Sequence, residues 1–192
     1  MIEVEVPIEE WLNNYPDHYC DFQDRYFKFR PFFTHIPENS VGAEVGTFEG
    51  FNALGALRFC KIKQFYLIDP YKVYDSQTDT HIWSQEHWDK IFERTQKKLS
   101  AYPVTFVRKS SVEGVKDVPD NLDWVYIDGD HKTQSVFTDI CTWFPKIKEG
   151  GLIGGHDITE TEVVDAIALW LYNNRKEGAR FCSKWNDWWI TK

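Results

Sequence analysis

Two short segments crowd together side chains that bind metals and move protons: Asp123-Trp-Val-Tyr-Ile-Asp-Gly-Asp-His131 and Gly150-Gly-Leu-Ile-Gly-Gly-His-Asp157. Each is an apolar run that ends in acids and an imidazole. If the runs are neighbouring parallel strands, a little under about 5 Å apart, Asp128, His156 and Asp157 converge on one edge and form a candidate metal set. Mixed carboxylate and imidazole donors suit Mg²⁺, Mn²⁺, Fe²⁺ or Zn²⁺ without choosing among them. His131, with a reference pKa near about 6.5, is suited to take a proton around neutrality, beside Asp128. The plainer reading is that Asp128-Gly-Asp130 is a turn and that His156-Asp157 caps a helix starting near Thr159.

A third segment, Val41-Gly-Ala-Glu-Val-Gly-Thr-Phe-Glu-Gly50, reads as a strand turning through glycines into a helix. Without a Cβ in the way, backbone N–H groups and a helix N-terminus approach a ligand closely, so this is a nucleotide-cofactor loop. Its carboxylate, Glu44, repels phosphate but accepts hydrogen bonds from an amine or hydroxyl. Asp69 closes the apolar run Phe65-Tyr-Leu-Ile68 and is placed to bond the hydroxyl pair of a ribose held at the loop. Ser110 and Ser111 follow the next run, Val104-Thr-Phe-Val107; Ser111 is a ligand candidate, although Ser-Ser-Val-Glu113 is also an ordinary capping box.

These residues need elements to carry them. Strand and helix alternate from Val41 onward: strands at Val41–Val45, Phe65–Ile68, Val104–Val107, Trp124–Ile127 and Leu152–Ile153; helices at about Phe51–Cys60, Ser84–Leu99, Gln134–Lys148 and Glu160–Asn174; and a short helix near Val112. Ala179–Lys184 and Trp188–Thr191 look like a terminal antiparallel hairpin. The order predicts an α/β fold, a Rossmann-like, doubly wound, mostly parallel sheet with ligands beyond the carboxyl ends of its strands. Residues 1–40 are expected to form an N-terminal helical segment that packs on a Rossmann-like domain of residues 41–192. No repeat or linker divides the chain further.

Composition narrows the partners. A formal net charge of −8 argues against gripping nucleic acid, and favours a small-molecule substrate. The acidic N-terminus is unlike a secretory signal and no run reaches about 18 apolar residues, so a cytoplasmic protein with no membrane partner is expected. The four cysteines are scattered singletons, read as buried thiols. Nine tryptophans point to large core anchors or an apolar substrate pocket, and exposed aromatics hint at a homodimer without demanding one. Tyr74, Trp83 and Trp88 either form a lid over an acceptor or pack a connector helix.

Together the glycine loop, Asp69, the Ile127-Asp-Gly-Asp-His131 segment and Lys146-Ile-Lys-Glu-Gly-Gly-Leu-Ile-Gly-Gly-His-Asp157 resemble the class I S-adenosylmethionine-dependent methyltransferases, and within them the group related to metal-dependent catechol and sugar O-methyltransferases. The resemblance covers about Val41 to Asp157. It implies a seven-stranded sheet ending in an antiparallel hairpin, with S-adenosylmethionine as cofactor. Carried over by position, Glu44, Gly46, Thr47 and Gly50 surround its methionine part, Asp69 its ribose and Ser111 its adenine side, with Asp128 also at the cofactor. By the same carry-over Asp128, His156 and Asp157 take a divalent metal, Mg²⁺ or Mn²⁺, whereas His131 and Asp128 are read as the catalytic residues from their own chemistry. Two departures stand out: catechol-type enzymes carry Asp-Asn where this chain has His156-Asp157, and a lysine base where it has His131. The expected activity is O-methylation of a small sugar or phenol hydroxyl.

Rival readings are an NAD(P)-dependent oxidoreductase, an iron oxygenase using His131, His156 and Asp128, and a nucleotide-binding Rossmann protein without catalysis. The first wants Gly-x-Gly-x-x-Gly and would set Glu44 near a pyrophosphate.

Overall fold

Apolar runs without clean alternation, such as Trp124-Val-Tyr-Ile127, are what a strand covered on both faces requires. A computed structural model, which describes residues 30–73, 84–175, 178–183 and 186–192, shows them so covered. In chain order the elements are α1 (Pro31–Thr34), β1 (Ser40–Val45), α2 (Phe51–Phe59), β2 (Ile62–Ile68), α3 (Gln85–Leu99), β3 (Val104–Val107), α4 (Ser111–Gly114), β4 (Leu122–Ile127), α5 (Thr133–Trp143), β5 (Ile147–Gly155), α6 (Thr161–Asn174), β6 (Arg180–Cys182) and β7 (Asp187–Thr191). Single 3₁₀ turns follow α4 and α5.

The strands form one seven-stranded sheet in the order β3-β2-β1-β4-β5-β7-β6. β1 to β5 pair in parallel, and β7 runs antiparallel to both its neighbours. The expected Rossmann-like sheet with a terminal hairpin is therefore present. After β3 the chain crosses back to pair β4 with β1, which makes the β1–β4 junction the switch point where such sheets open a crevice. On one face Val136, Ile140 and Trp143 of α5 and Val163, Ile167 and Trp170 of α6 bury Val125 and Ile153. On the other, Phe32 and Phe33 of α1 join Ala53, Ala56 and Leu99 over Phe65, Trp124 and Tyr126.

Two boundaries differ most from the sequence expectation, beyond β2 and β4, which start earlier, at Ile62 and Leu122. The helix expected to reach Lys148 ends at Trp143, because Pro145 cannot continue it, and the chain turns at Phe144–Lys146 into β5. β5 is longer than the expected Leu152–Ile153, since its glycines pack inside the sheet instead of forming loops. A Cβ on Gly154 would stand 2.3 Å from the Trp188 carbonyl oxygen and 2.6 Å from the Phe32 ring, and one on Gly155 2.3 Å from the Ile127 carbonyl oxygen. Among the cysteines Cys60 and Cys182 are half-buried and Cys141 is exposed, so the expected burial does not hold; Cys141 lies off the apolar stripe of α5. The expectations for residues 1–29 and for Tyr74 and Trp83 lie outside the described residues, whereas Trp88 packs edge-on against Phe48 at 5.9 Å. No helix among the described residues is long and apolar enough to cross a membrane.

Gly154→Ala is expected to destabilise the fold by about 2 kcal/mol, since the obstacle is backbone and cannot swing aside. Thermal unfolding measures it, and a melting temperature equal to wild type would contradict the packing described.

Candidate active site

The loop after β1 reaches β4 because position 46 has no side chain. Gly46 sits at φ +89°, and a Cβ there would lie 2.1 Å from the carbonyl oxygen of Asp128. Its N–H donates to Ile68 O at 2.8 Å, and Asp128 N–H donates to Val45 O at 2.8 Å, which fastens the loop between β2 and β4. Gly50, at φ +69°, is the N-cap of α2, where the glycine pattern placed a helix start.

Glu44 lies under this loop, 1% exposed. Its Oε1 accepts from Asn52 Nδ2 at 2.6 Å, while its Oε2, like the hydroxyl of Thr47, is buried with no partner among the described residues. Burial, reinforced by Asp128 and Asp69, pushes the Glu44 carboxyl up to about 8 against the opposing pull of Asn52 and Arg30. Asn52 is itself held by Arg30, whose guanidinium also bonds the Tyr126 hydroxyl and, through Nε at 2.9 Å, Asp187.

Asp69 closes β2 as expected, with both carboxylate oxygens engaged. Oδ2 accepts from Phe48 N–H and Oδ1 from Tyr71 N–H, each at 2.8 Å. Both donors are non-glycine residues in the left-handed region, φ +46° and +44°, so Asp69 supports a strained loop. Ser110 takes the N-cap position of α4, where its hydroxyl donates to Glu113 at 2.5 Å instead of bonding the helix backbone. The Ser111 hydroxyl points inward, accepting from Trp143 Nε1 at 2.8 Å and bonding Asp139, whose carboxyl burial raises to about 6.

At the ends of β4 and β5, His131 Nε2 lies 2.9 Å from Asp157 Oδ2, and His156 Nδ1 lies 3.1 Å from Asp157 Oδ1. Asn186 Nδ2 donates to the same Oδ1 at 3.0 Å. Burial raises Asp157, but the two imidazoles outweigh it and hold the carboxyl far below the usual range; reciprocally, the hydrogen bond to Asp157 raises His131. Asp128 is pushed up, chiefly by burial. The described residues whose ligand atoms converge, within 4.8 Å of one another, are Asp128, His131 and Asp157. His156, expected in that set, instead braces Asp157 from its other oxygen. Asp130 accepts from Lys132 N–H and the Ser135 hydroxyl, which is the plain turn reading.

Arg30, Asn52, Asp139 and Asn186 escaped the sequence reading. Asp139 alone left a signal, an acid on the buried Val136–Ile140–Trp143 stripe of α5.

A model of methyltransferase domains matches residues 43–158, more than half of the chain. The chain belongs to this family, as a class I S-adenosylmethionine-dependent methyltransferase. No curated protein matches by sequence. Among solved structures, the O-methyltransferase NovP superposes with a TM-score of 0.58 at 15% identity, over 91% of this chain and 79% of that one. Precorrin-6y C5,15-methyltransferase from Geobacter metallireducens gives 0.51 at 15% identity, over 86% and 73%. Spermidine synthase from Thermotoga maritima gives 0.56 at 15% identity, over 88% of this chain and 58% of that one. Likeness at this identity is one of fold.

The raised Glu44 carboxyl has a signed consequence. With a folded pKa near 8 against 4.5 for the free group, its contribution to stability is full below about pH 4.5 and lost as pH rises through about 8. Glu44→Gln, which keeps the acceptor for Asn52, is expected to be more stable than wild type at pH 8.5, by up to about 5 kcal/mol, with the gap closing towards pH 4.5. A pH-independent gap in calorimetry of the ligand-free proteins would contradict this.

Proposed function

We propose that the chain transfers the methyl group of S-adenosylmethionine to a hydroxyl of a small molecule, a sugar or phenol, with His131 as the base. The observation that carries this reading is the His131–Asp157 pair at 2.9 Å, set beside Asp128 at the carboxyl ends of β4 and β5. A hydroxyl must lose its proton as its oxygen bonds the methyl carbon, and an imidazole oriented by a carboxylate is suited to receive it. Asp157 orients the ring and stabilises the imidazolium; Asp128 adds negative potential beside it.

The loop residues fit the cofactor. Glu44 Oε2 and the Thr47 hydroxyl, buried without partners among the described residues, suit the amino and carboxylate ends of a methionine group. Gly46 and Gly50 let the loop pack against Asp128 and against Thr95 and Leu99, which supports a cofactor crevice beside Glu44 and Thr47. Each Asp69 oxygen retains a lone pair for a ribose hydroxyl, and Ser111 with Asp139 lies on the adenine side. Bound there, S-adenosylmethionine supplies a sulfonium methyl for in-line attack, and the protein's work is to position, deprotonate and exclude water. The net charge of −8 favours a small acceptor over nucleic acid.

A second reading, with a divalent ion, Mg²⁺ or Mn²⁺, held by Asp128, His131 and Asp157, is favoured by the convergence of their ligand atoms. An ion there would acidify a coordinated hydroxyl. Against it, both oxygens of Asp157 already have partners in His131, His156 and Asn186.

His131→Ala is expected to lower turnover by about 10²- to 10⁴-fold while S-adenosylhomocysteine binds as to wild type; undiminished turnover would sink the assignment. Turnover is expected to survive EDTA. Loss on chelation with recovery on adding Mg²⁺ or Mn²⁺ would make His131 a ligand and move the base elsewhere.

A further inference from the structure

Asn186 and Asp187 are consecutive, yet they serve opposite sides of the sheet. Asp187 opens β7 and points, like Trp189 two residues on, to the face where Phe32 packs. Completely buried, its Oδ1 accepts from Arg30 Nε at 2.9 Å and from the Tyr126 hydroxyl at 2.7 Å, and its Oδ2 from Phe32 N–H at 3.4 Å. Arg30 in turn donates to Asn52 Oδ1. A guanidinium only donates, so it fixes which end of the Asn52 amide faces it and leaves the NH₂ to face Glu44, 2.6 Å away. The chain of contacts runs from the hairpin to the cofactor loop.

Asn186 faces the other way. Its amide NH₂ donates to Asp157 Oδ1 at 3.0 Å, and its amide oxygen accepts from Thr159 N–H and from the Thr159 hydroxyl, both at 2.9 Å. Asp157 is itself left-handed, φ +61°, a region that aspartate enters more readily than most non-glycine residues, and the Asn186 side chain, together with its carbonyl accepting from Ile158 N–H at 3.3 Å, holds the 157–159 turn.

We propose that Asn186 and Asp187 are positioning residues that serve the two substrates separately: Asn186 holds Asp157, and through it His131, on the acceptor side, whereas Asp187 holds Arg30, and through it Asn52 and Glu44, on the cofactor side. The acceptor half rests on the reading of His131 and Asp157 given above, and the cofactor half on the reading of Glu44 and Thr47 as the seat of the methionine group.

The test is a crossed pair of variants read by two methods. Asn186→Gly removes the amide without backbone strain, since Asn186 is at φ +61° and glycine adopts that region freely. Asp187→Asn keeps the shape and removes the charge. Should Asp187→Asn not fold, Arg30→Lys preserves the buried charge pair while losing the fork that reaches Asn52. S-adenosylhomocysteine affinity is measured by calorimetry, and the His131 and His156 imidazole ¹⁵N signals by NMR at one fixed pH.

Asn186→Gly is expected to move both imidazole signals and leave the Kd within about twofold. Asp187→Asn, or Arg30→Lys, is expected to weaken binding about tenfold or more and leave the imidazole signals in place. Variants that disturb both readouts alike would reduce the pair to general fold support and overturn the proposal, as would unmoved imidazoles in Asn186→Gly or wild-type affinity in Arg30→Lys. If the crossed pattern appears but His131→Ala turns over normally, the two braces stand and only the choice of base falls.

Discussion

The site depends on one close approach, that of Gly46 to the carbonyl oxygen of Asp128. Any side chain at position 46 would drive the β1 loop off the end of β4. Because none is there, the end of β1 that carries Glu44, the loop that carries Thr47 and the strand end that carries Asp128 share one crevice, joined by the Asp128 N–H to Val45 bond. The parallel pairing of β1 with β4 supplies the register that brings these two points level. A reaction between two bound molecules needs this adjacency before it needs any particular base.

Around that contact the protein keeps two carboxylates in opposite electrostatic conditions. Glu44, buried with two further acids near it, is driven towards its neutral form, and a ligand amine or hydroxyl would relieve it. Asp157, flanked by two imidazoles and an amide, is held ionised and in turn favours a charged His131. Environments that push such groups apart let neighbouring carboxylates take different protonation states, and so different roles, in one site. The adjacent Asn186 and Asp187 keep each of them in its own surroundings from a single point in the chain.

Most of the scaffold was legible in the sequence because local pattern dictates it: apolar runs gave the parallel strands, Gly46 and Gly50 the loop, and the aromatic tail the hairpin. The glycines of β5 misled because sequence alone does not reveal that Trp188 and Phe32 occupy the space above them. Glu44, Asp69, Asp128, His131 and Asp157 were found where strand ends were expected. Their exact grouping was not, since whether His131 or His156 joins Asp128 depends on the path of the loop after β4, which no periodicity encodes. Arg30 and Asn186 were invisible for a related reason: each acts across more than 20 residues of sequence, through contacts that exist only once the sheet has closed.

The most direct measurement is a crystal structure with S-adenosylhomocysteine and Mn²⁺ present. The amino acid end of the ligand is expected against Glu44 Oε2 and Thr47, its sulfur turned towards the Asp128–His131–Asp157 cluster, with the His131–Asp157 contact intact. A ligand whose methionine end lies away from Glu44, or whose sulfur faces away from that cluster, would contradict this placement.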